Sequence, residues 1–392
     1  MQTKEKTGVT KTMQRTTPIP PIAFQDDPLA VNLEICKQRE QYWLQILAWG
    51  RRKRYPMGMT SLDLAELNNQ LQQEMDVIAR NNQQDLPTRR ELENFAQVGH
   101  YAFNKVFCHP DARTAIRELI SLSQAVSIQV VSEDFFLPWE LIYPATLDEP
   151  FSYDHFWGMN HLISRTIIQD AHPGAFVSPE ISFNTCPTLG MLTYSGLPGV
   201  LQQELHFFQE LEDQGQLALF RLRSLDPDNM RTEFQEFRDF WKNSFNLAHF
   251  ACHAAHNSDS PNLSHILLSE EFPITLREMD AYEIEIDGHP LIIMNACETG
   301  NCNPLYTSNF AAAFLKYGAR GIVATECTVP DAFAADFAEQ LYIHLLAGNP
   351  LGESLLAARR YFLQNYKNPS GLLYSMYAPP SIRLVQAGGS NE

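Results

Sequence analysis

His289-Pro-Leu-Ile-Ile-Met-Asn-Ala-Cys-Glu-Thr-Gly300 is the stretch from which this chain is read. Leu291, Ile292 and Ile293 are consecutive bulky apolar residues, a pattern that predicts a strand buried on both faces. Small and polar residues follow from Asn295 to Gly300, which sets Cys297 at the carboxyl end of that strand. In open α/β sheets chemistry is carried at this edge, because loops there are held by rigid strands. Gly300 suits the turn that leads the chain away. A second apolar run, residues 245–252, ends at His253. If the two strands are parallel neighbours, a thiol and an imidazole lie side by side.

That pair is a nucleophile and its base: the imidazole takes the thiol proton, and the thiolate attacks a carbonyl carbon. Cysteine is also a common small core hydrophobe, so the pairing matters less than its setting. Here His precedes Cys by 44 residues and both fall at strand ends; a caspase Cys follows its His by about 50 residues, in a Gln-Ala-Cys motif. Two other readings stay open. His249, Cys252, His253 and His256 lie within eight residues, with Cys297 and Cys302 elsewhere, so a zinc-binding α/β protein is an alternative. Strand alternation opposes it, since it sends residues 249 and 253 to the face opposite 252. The other alternative is a non-catalytic interaction module with the same fold.

The blocks His249-Phe-Ala-Cys-His-Ala254 and Leu291-Ile-Ile-Met-Asn-Ala-Cys-Glu-Thr-Gly300 resemble the two signature blocks of the CHAT family, caspase-like cysteine peptidases related to separases. Phe136-Leu-Pro-Trp-Glu-Leu-Ile-Tyr143, Tyr317-Gly-Ala-Arg-Gly-Ile-Val-Ala324 with Thr328-Val-Pro-Asp331, and residues 346–358 resemble three more blocks in the right order. The resemblance covers about residues 110–386. It implies a caspase-like fold, Cys297 as nucleophile, His253 as general acid/base, a protein substrate, and a peptidase held latent until a regulatory or activating protein partner, within a bacterial defence or regulated-death pathway, releases it. No cofactor and no resident metal are expected. The oxyanion donors it implies are the backbone N–H of Cys297 and that of Ala254. Ala254 stands where the family often has Gly, and an alanine would be strained if the position required a positive φ. Relatives that cut after basic residues tend to carry an acid two positions before the nucleophile; this chain has Asn295. Asn295, Glu298, Glu326 and Asp331 are therefore the candidates for the substrate pocket, with helix capping the competing role for Asp331.

Composition is that of a globular protein. Hydrophobic residues make up 44% and charged residues 19% of 392, enough for a large core. A net charge of −17 opposes indiscriminate binding to nucleic acid or to an acidic membrane. Seven scattered cysteines, an odd number, suit a reducing, cytoplasmic setting. No apolar run approaches the ~18 residues of a membrane span.

Along the chain, residues 1–30 read as a flexible, Pro-containing tail. Residues 31–123 read as a helical N-terminal region, with apolar positions at Leu33, Cys36, Tyr42, Leu44, Ile46 and Leu47, a basic helix end at residues 51–54, and a capping box at Thr88-Arg-Arg-Glu91. Residues 124–386 form the caspase-like domain, divided into a subdomain over 124–180 and a catalytic core over 181–386, with residues 387–392 as a tail. Strands are predicted at 126–131, 135–143 and 162–168. Strand and helix then alternate from Thr188 to Val385, with Tyr194-Ser-Gly-Leu-Pro198 as a strand-to-helix turn. That alternation predicts an α/β fold with a mainly parallel sheet covered by helices on both faces.

Overall fold

The computed structural model describes residues 30–48, 50–81, 87–120, 125–168, 178–194, 197, 203–222, 229–255, 257, 260–269, 272–298 and 304–388. The expected tail over 1–29, the turn at Gly300 and most of the turn after Tyr194 lie outside these residues.

The first correction concerns the N-terminal region, which opens with strands and not with a helix. Strands β1 (Ala30–Gln38), β2 (Gln41–Ala48) and β3 (Arg51–Pro56) form two antiparallel hairpins. Their apolar residues follow a period of two: Val31, Leu33 and Ile35 are buried, as are Tyr42, Leu44 and Ile46. The first hairpin turns at Arg39, whose φ is +56°. No Gly, Asn or Asp marks that turn, so the break between the strands carries no sequence signal. Arg51 to Arg54 therefore lie along an exposed strand at the border of the sheet, where charge discourages stray pairing, and not at a helix end.

Helices α1 (Ser61–Asn81), α2 (Arg89–Val106) and α3 (Pro110–Ile120) follow. The expected capping box opens α2: Glu91 N–H donates to the Thr88 hydroxyl, and Thr88 N–H donates to the Glu91 carboxylate at 2.7 Å. Strand β4 (Ser127–Ser132) runs parallel to β1, and beyond the short helix α4 (Trp157–Asn160), β5 (Leu162–Ile167) runs parallel to β4. The five-stranded sheet thus has the order β3-β2-β1-β4-β5 and draws on both sides of the division expected at 123/124. The strand predicted over 135–143 is instead a 3-10 turn at Trp139–Leu141. Its run of buried residues imitates a strand, but Pro138 cannot donate to a ladder.

The second sheet holds the candidate site. The elements from residue 180 onward are, in chain order, β6 (Glu180–Phe183), β7 (Thr188–Thr193), α5 (Leu205–Asp213), β8 (Ala218–Arg221), α6 (Met230–Trp241), β9 (Leu247–Ala255), β10 (His265–Ser269), β11 (Phe272–Thr275), α7 (Leu276–Ala281), β12 (Leu291–Glu298), α8 (Pro304–Tyr317), β13 (Gly321–Thr325), α9 (Asp331–Leu346), α10 (Leu351–Tyr366), β14 (Tyr374–Tyr377) and β15 (Arg383–Gln386). The main path is β11-β10-β9-β12-β13-β14, with β7 on the other edge of β9 from β12 and β8 beyond β7; β6 and β15 form a separate pair. The pairings among β8, β7, β9, β12 and β13 are all parallel, while β10, β11 and β14 join antiparallel.

Alternation along β9 and β12 sorts the core. Leu247, Leu291 and Ile293 pack toward α5, α9 and α10 through Phe208, Phe337, Leu341 and Leu355. Ala248, Phe250, Cys252, Ile292 and Met294 pack toward α6, α7 and α8 through Phe237, Trp241, Met279 and Phe314. This is the expected α/β architecture, a mainly parallel sheet flanked by helices. Among the described residues, no helix is long and apolar enough to cross a membrane.

Candidate active site

Strand pairing brings the two sequence candidates together. In the parallel ladder of β9 and β12, Cys297 is the register partner of His253. Paired residues on neighbouring strands point to the same face, with backbones about 4.8 Å apart. The next pair, Glu298 with Ala254, is still in the ladder, and Ala254 also pairs with Ile266 of β10. Ala254 is thus extended backbone with a strand on each side. The non-glycine residues with positive φ among those described are Arg39, Glu283, His289 and Lys367, so the strain expected of an alanine at position 254 does not arise.

Cys252 points into the opposite core, fully buried. Burial, with the Glu204 carboxylate adding to it, pushes its thiol well above the usual range, which leaves it protonated and inert.

Beneath His253, on the same face of β9, lies a buried polar cluster that carries no signal in the sequence. The Asn295 side-chain amide donates to Glu204 Oε1 at 2.5 Å and to the Ala334 carbonyl at 2.9 Å, and its oxygen accepts from the Tyr374 hydroxyl at 3.0 Å. His249 lies 3.4 Å from the same Glu204 oxygen through Nε2, and 3.3 Å from the Tyr342 hydroxyl through Nδ1. Asn295 is 3% exposed. Its amide donates twice and accepts once, tying β12 to the segment entering α5, to α9 and to β14.

Glu326 is buried in a similar way. It is 1% exposed, and its carboxylate accepts from Arg165 of β5 and from the Tyr377 hydroxyl at 3.3 Å. Arg165 also pairs with Glu140, which Arg359 approaches at 3.4 Å while donating to the Gly371 carbonyl at 3.0 Å. Each carboxylate and guanidinium here has a partner of opposite charge, as burial demands. The cluster fastens the edge of the first sheet, at β5, to the edge of the second, at β14. Glu140 of the Leu-Pro-Trp-Glu block has this structural task.

Asp331 is partly exposed and is the first residue of α9; the N-cap is Pro330, without a side-chain cap bond. The expected capping by Asp331 is thus replaced by a milder effect, an anion in the first turn of a helix. Glu298 ends β12. Among the described residues, no group of three or more His, Cys, Asp or Glu side chains is arranged to hold a metal ion. One contact of His253 had no sequence signal: the Tyr194 ring lies 4.9 Å from the imidazole, centroid to centroid.

Comparisons with known proteins bear on this arrangement. A family model described as CHAT domain matches residues 82–380. A probable protease of Vitiosangium sp. (strain GDMCC 1.1324) is 32% identical over 152 residues, covering 37% of this chain and 20% of that protein. The chain thus spans about a fifth of the length of this curated relative. Among solved structures, the Saccharomyces cerevisiae separase–securin complex matches with a TM-score of 0.51 at 10% identity, over 90% of this chain and 30% of that one. At that identity the likeness is one of fold, and it agrees with the caspase-like architecture expected above.

Proposed function

The chain belongs to the CHAT-domain family, and from that premise we propose that it is a cysteine endopeptidase acting through His253 and Cys297. The observation that carries the proposal is the register that makes these two residues partners on adjacent parallel strands. In the reaction, the Cys297 thiolate adds to a peptide carbonyl carbon and His253 gives a proton to the departing amine. Water then attacks the acyl-enzyme, His253 takes its proton, and the thiolate leaves. The backbone N–H of Cys297 is the nearer oxyanion donor, and that of Ala254 the second. Glu298 and the partly exposed Asp331 remain the candidates to line the substrate pocket.

A latent resting state is part of the proposal. The ladder runs one pair beyond the dyad and holds Ala254 between two strands. A backbone N–H in that position faces a strand and not a substrate oxygen. Parting of the strand ends would free it, and a protein partner bound near the dyad is the natural trigger. That a separase is seen in complex with securin suits this kind of control, and a bacterial defence or regulated-death pathway is the proposed setting.

The test is the alkylation rate of each cysteine by iodoacetamide, followed by mass spectrometry from pH 5 to 9, in wild type and in His253→Ala. Cys297 reacts fastest of the seven near neutral pH and loses that lead in the variant if the dyad is assembled. A Cys297 as slow as buried Cys252 in both proteins refutes the dyad and leaves the non-catalytic module as the reading.

A further inference from the structure

His253 has a neighbour that the mechanism above does not use. Tyr194 is the residue at which the chain leaves β7. Its N–H donates to the Ala251 carbonyl at 2.8 Å, and its side chain packs with Ala251 and Leu197. Its ring centroid is 4.9 Å from that of His253, with the planes tilted by 55°. The ring is therefore fixed at both ends of its attachment, by a backbone bond below and by apolar contact beside it.

The side from which Tyr194 approaches is given by the topology. Strand β9 has two hydrogen-bonding edges. Residues 189–193 of β7 pair along one of them, and residues 291–298 of β12, with Cys297 among them, pair along the other. Beyond Ala251 that first edge is taken over by β10, whose Leu267 pairs with His253, so the Tyr194 ring reaches the imidazole from the end of β7 beside β10, and the nucleophile's strand lies on the opposite flank. A histidine side chain has few staggered positions about χ1 and a broad range about χ2. A ring wedged against one flank removes the positions that lean away from Cys297 and leaves those that lean toward it.

We propose that Tyr194 is a positioning residue that backs His253 and holds its imidazole toward Cys297. This inference rests on the dyad reading and adds the element that keeps it aligned before substrate arrives. The contact is ring to ring, so it needs the aromatic ring and not the hydroxyl. General-base transfer depends steeply on alignment, and a displacement of 1 Å costs up to about a hundredfold in related settings. Loss of a flanking ring that leaves the imidazole in its pocket calls for less, about tenfold.

The experiment compares Cys297 alkylation across pH 5 to 9 in wild type, Tyr194→Phe, Tyr194→Leu and His253→Ala, with the melting temperature of each measured alongside. Tyr194→Phe keeps the ring and stays within about twofold of wild type. Tyr194→Leu keeps apolar bulk against Leu197 and Ala251, yet loses about tenfold at pH 7, and its pH profile moves toward that of His253→Ala. Tyr194→Met takes the place of the leucine variant should that one unfold. If the leucine variant matches wild type while wild type still depends on His253, the positioning role is overturned and the dyad stands. If the phenylalanine variant falls as far as the leucine one, the ring is not the operative group and the proposal fails. If wild type shows no dependence on His253, the dyad reading itself fails, and the role of Tyr194 with it.

Discussion

Replacing Asn295 by alanine separates two roles that the sequence left open for it. A side chain that lines a substrate pocket can be cut back with little loss of stability. One that ties four elements together cannot. In Asn295→Ala the buried Glu204 carboxylate loses the donor 2.5 Å away, and the Ala334 carbonyl and Tyr374 hydroxyl lose partners at 2.9 and 3.0 Å. A hydrogen bond to a charged group contributes about 1.5–3 kcal/mol and each of the two neutral ones about 1 kcal/mol, so the expected cost is about 3.5–5 kcal/mol. Unfolding entropy of about 2.1 cal/mol/K per residue amounts to about 0.8 kcal/mol/K for 392 residues. The variant should therefore melt about 4–6 °C below wild type, measured by differential scanning fluorimetry at pH 7.5. Asn295→Asp makes the reasoning stricter, because it sets a second carboxylate against Glu204. Two carboxylates at that distance repel each other, and the repulsion is relieved only when the introduced aspartate is protonated. Its deficit should deepen as pH rises from 5 to 8 and shrink toward acid. An alanine variant that melts within 1 °C of wild type would refute the clamp and return Asn295 to the pocket.

Two further outcomes follow from buried ionisable groups. Arg165→Met leaves the Glu140 and Glu326 carboxylates short of their shared cation; removal of one partner from such a group costs about 3–5 kcal/mol, a loss in melting temperature of about 4–6 °C that adding Glu326→Gln should partly restore, and an unchanged melting curve would count against the cluster as the fastening between the sheets. Burial, with Arg360 nearby, pulls His161 from its ordinary 6.5 down to about 4, while its Nδ1 accepts the Val126 N–H at 3.2 Å. The folded protein keeps this imidazole neutral while the unfolded chain protonates it, so stability is unaffected above pH 6.5 and falls from there to about pH 4, by about 2 kcal/mol at pH 5. His161→Gln should lose less stability than wild type between pH 7 and 5 in melting experiments; equal losses would contradict the assignment.

Local pattern was sufficient for the centre of the molecule. Residues 276–281 and 321–325 form the helix and the strand that their periodicity predicts, and the buried run Leu291–Ile293 lies in a strand between parallel neighbours. Such segments are legible because burial on both faces demands an unbroken apolar run, and a helix of this size shows its own period. The capping box at Thr88 was legible for a similar reason, since all its bonds lie within four residues. Residues 30–56 were misread because their hairpin turns at Arg39 without a turn residue, and with the break hidden the apolar positions imitate a helical face.

The sequence by itself determined which residues stand at strand ends and so which thiol and imidazole are candidates for chemistry. Whether they meet was decided by the pairing of β9 with β12, a register between segments some forty residues apart. Tertiary structure alone assigned Asn295 and Glu326 to the interior, joined β1 to β4, and brought Tyr194 against His253. The physical reason is common to all four. Periodicity reports which face of an element is buried, whereas the partner of a buried amide, charge or ring is set by elements distant in sequence that converge on it.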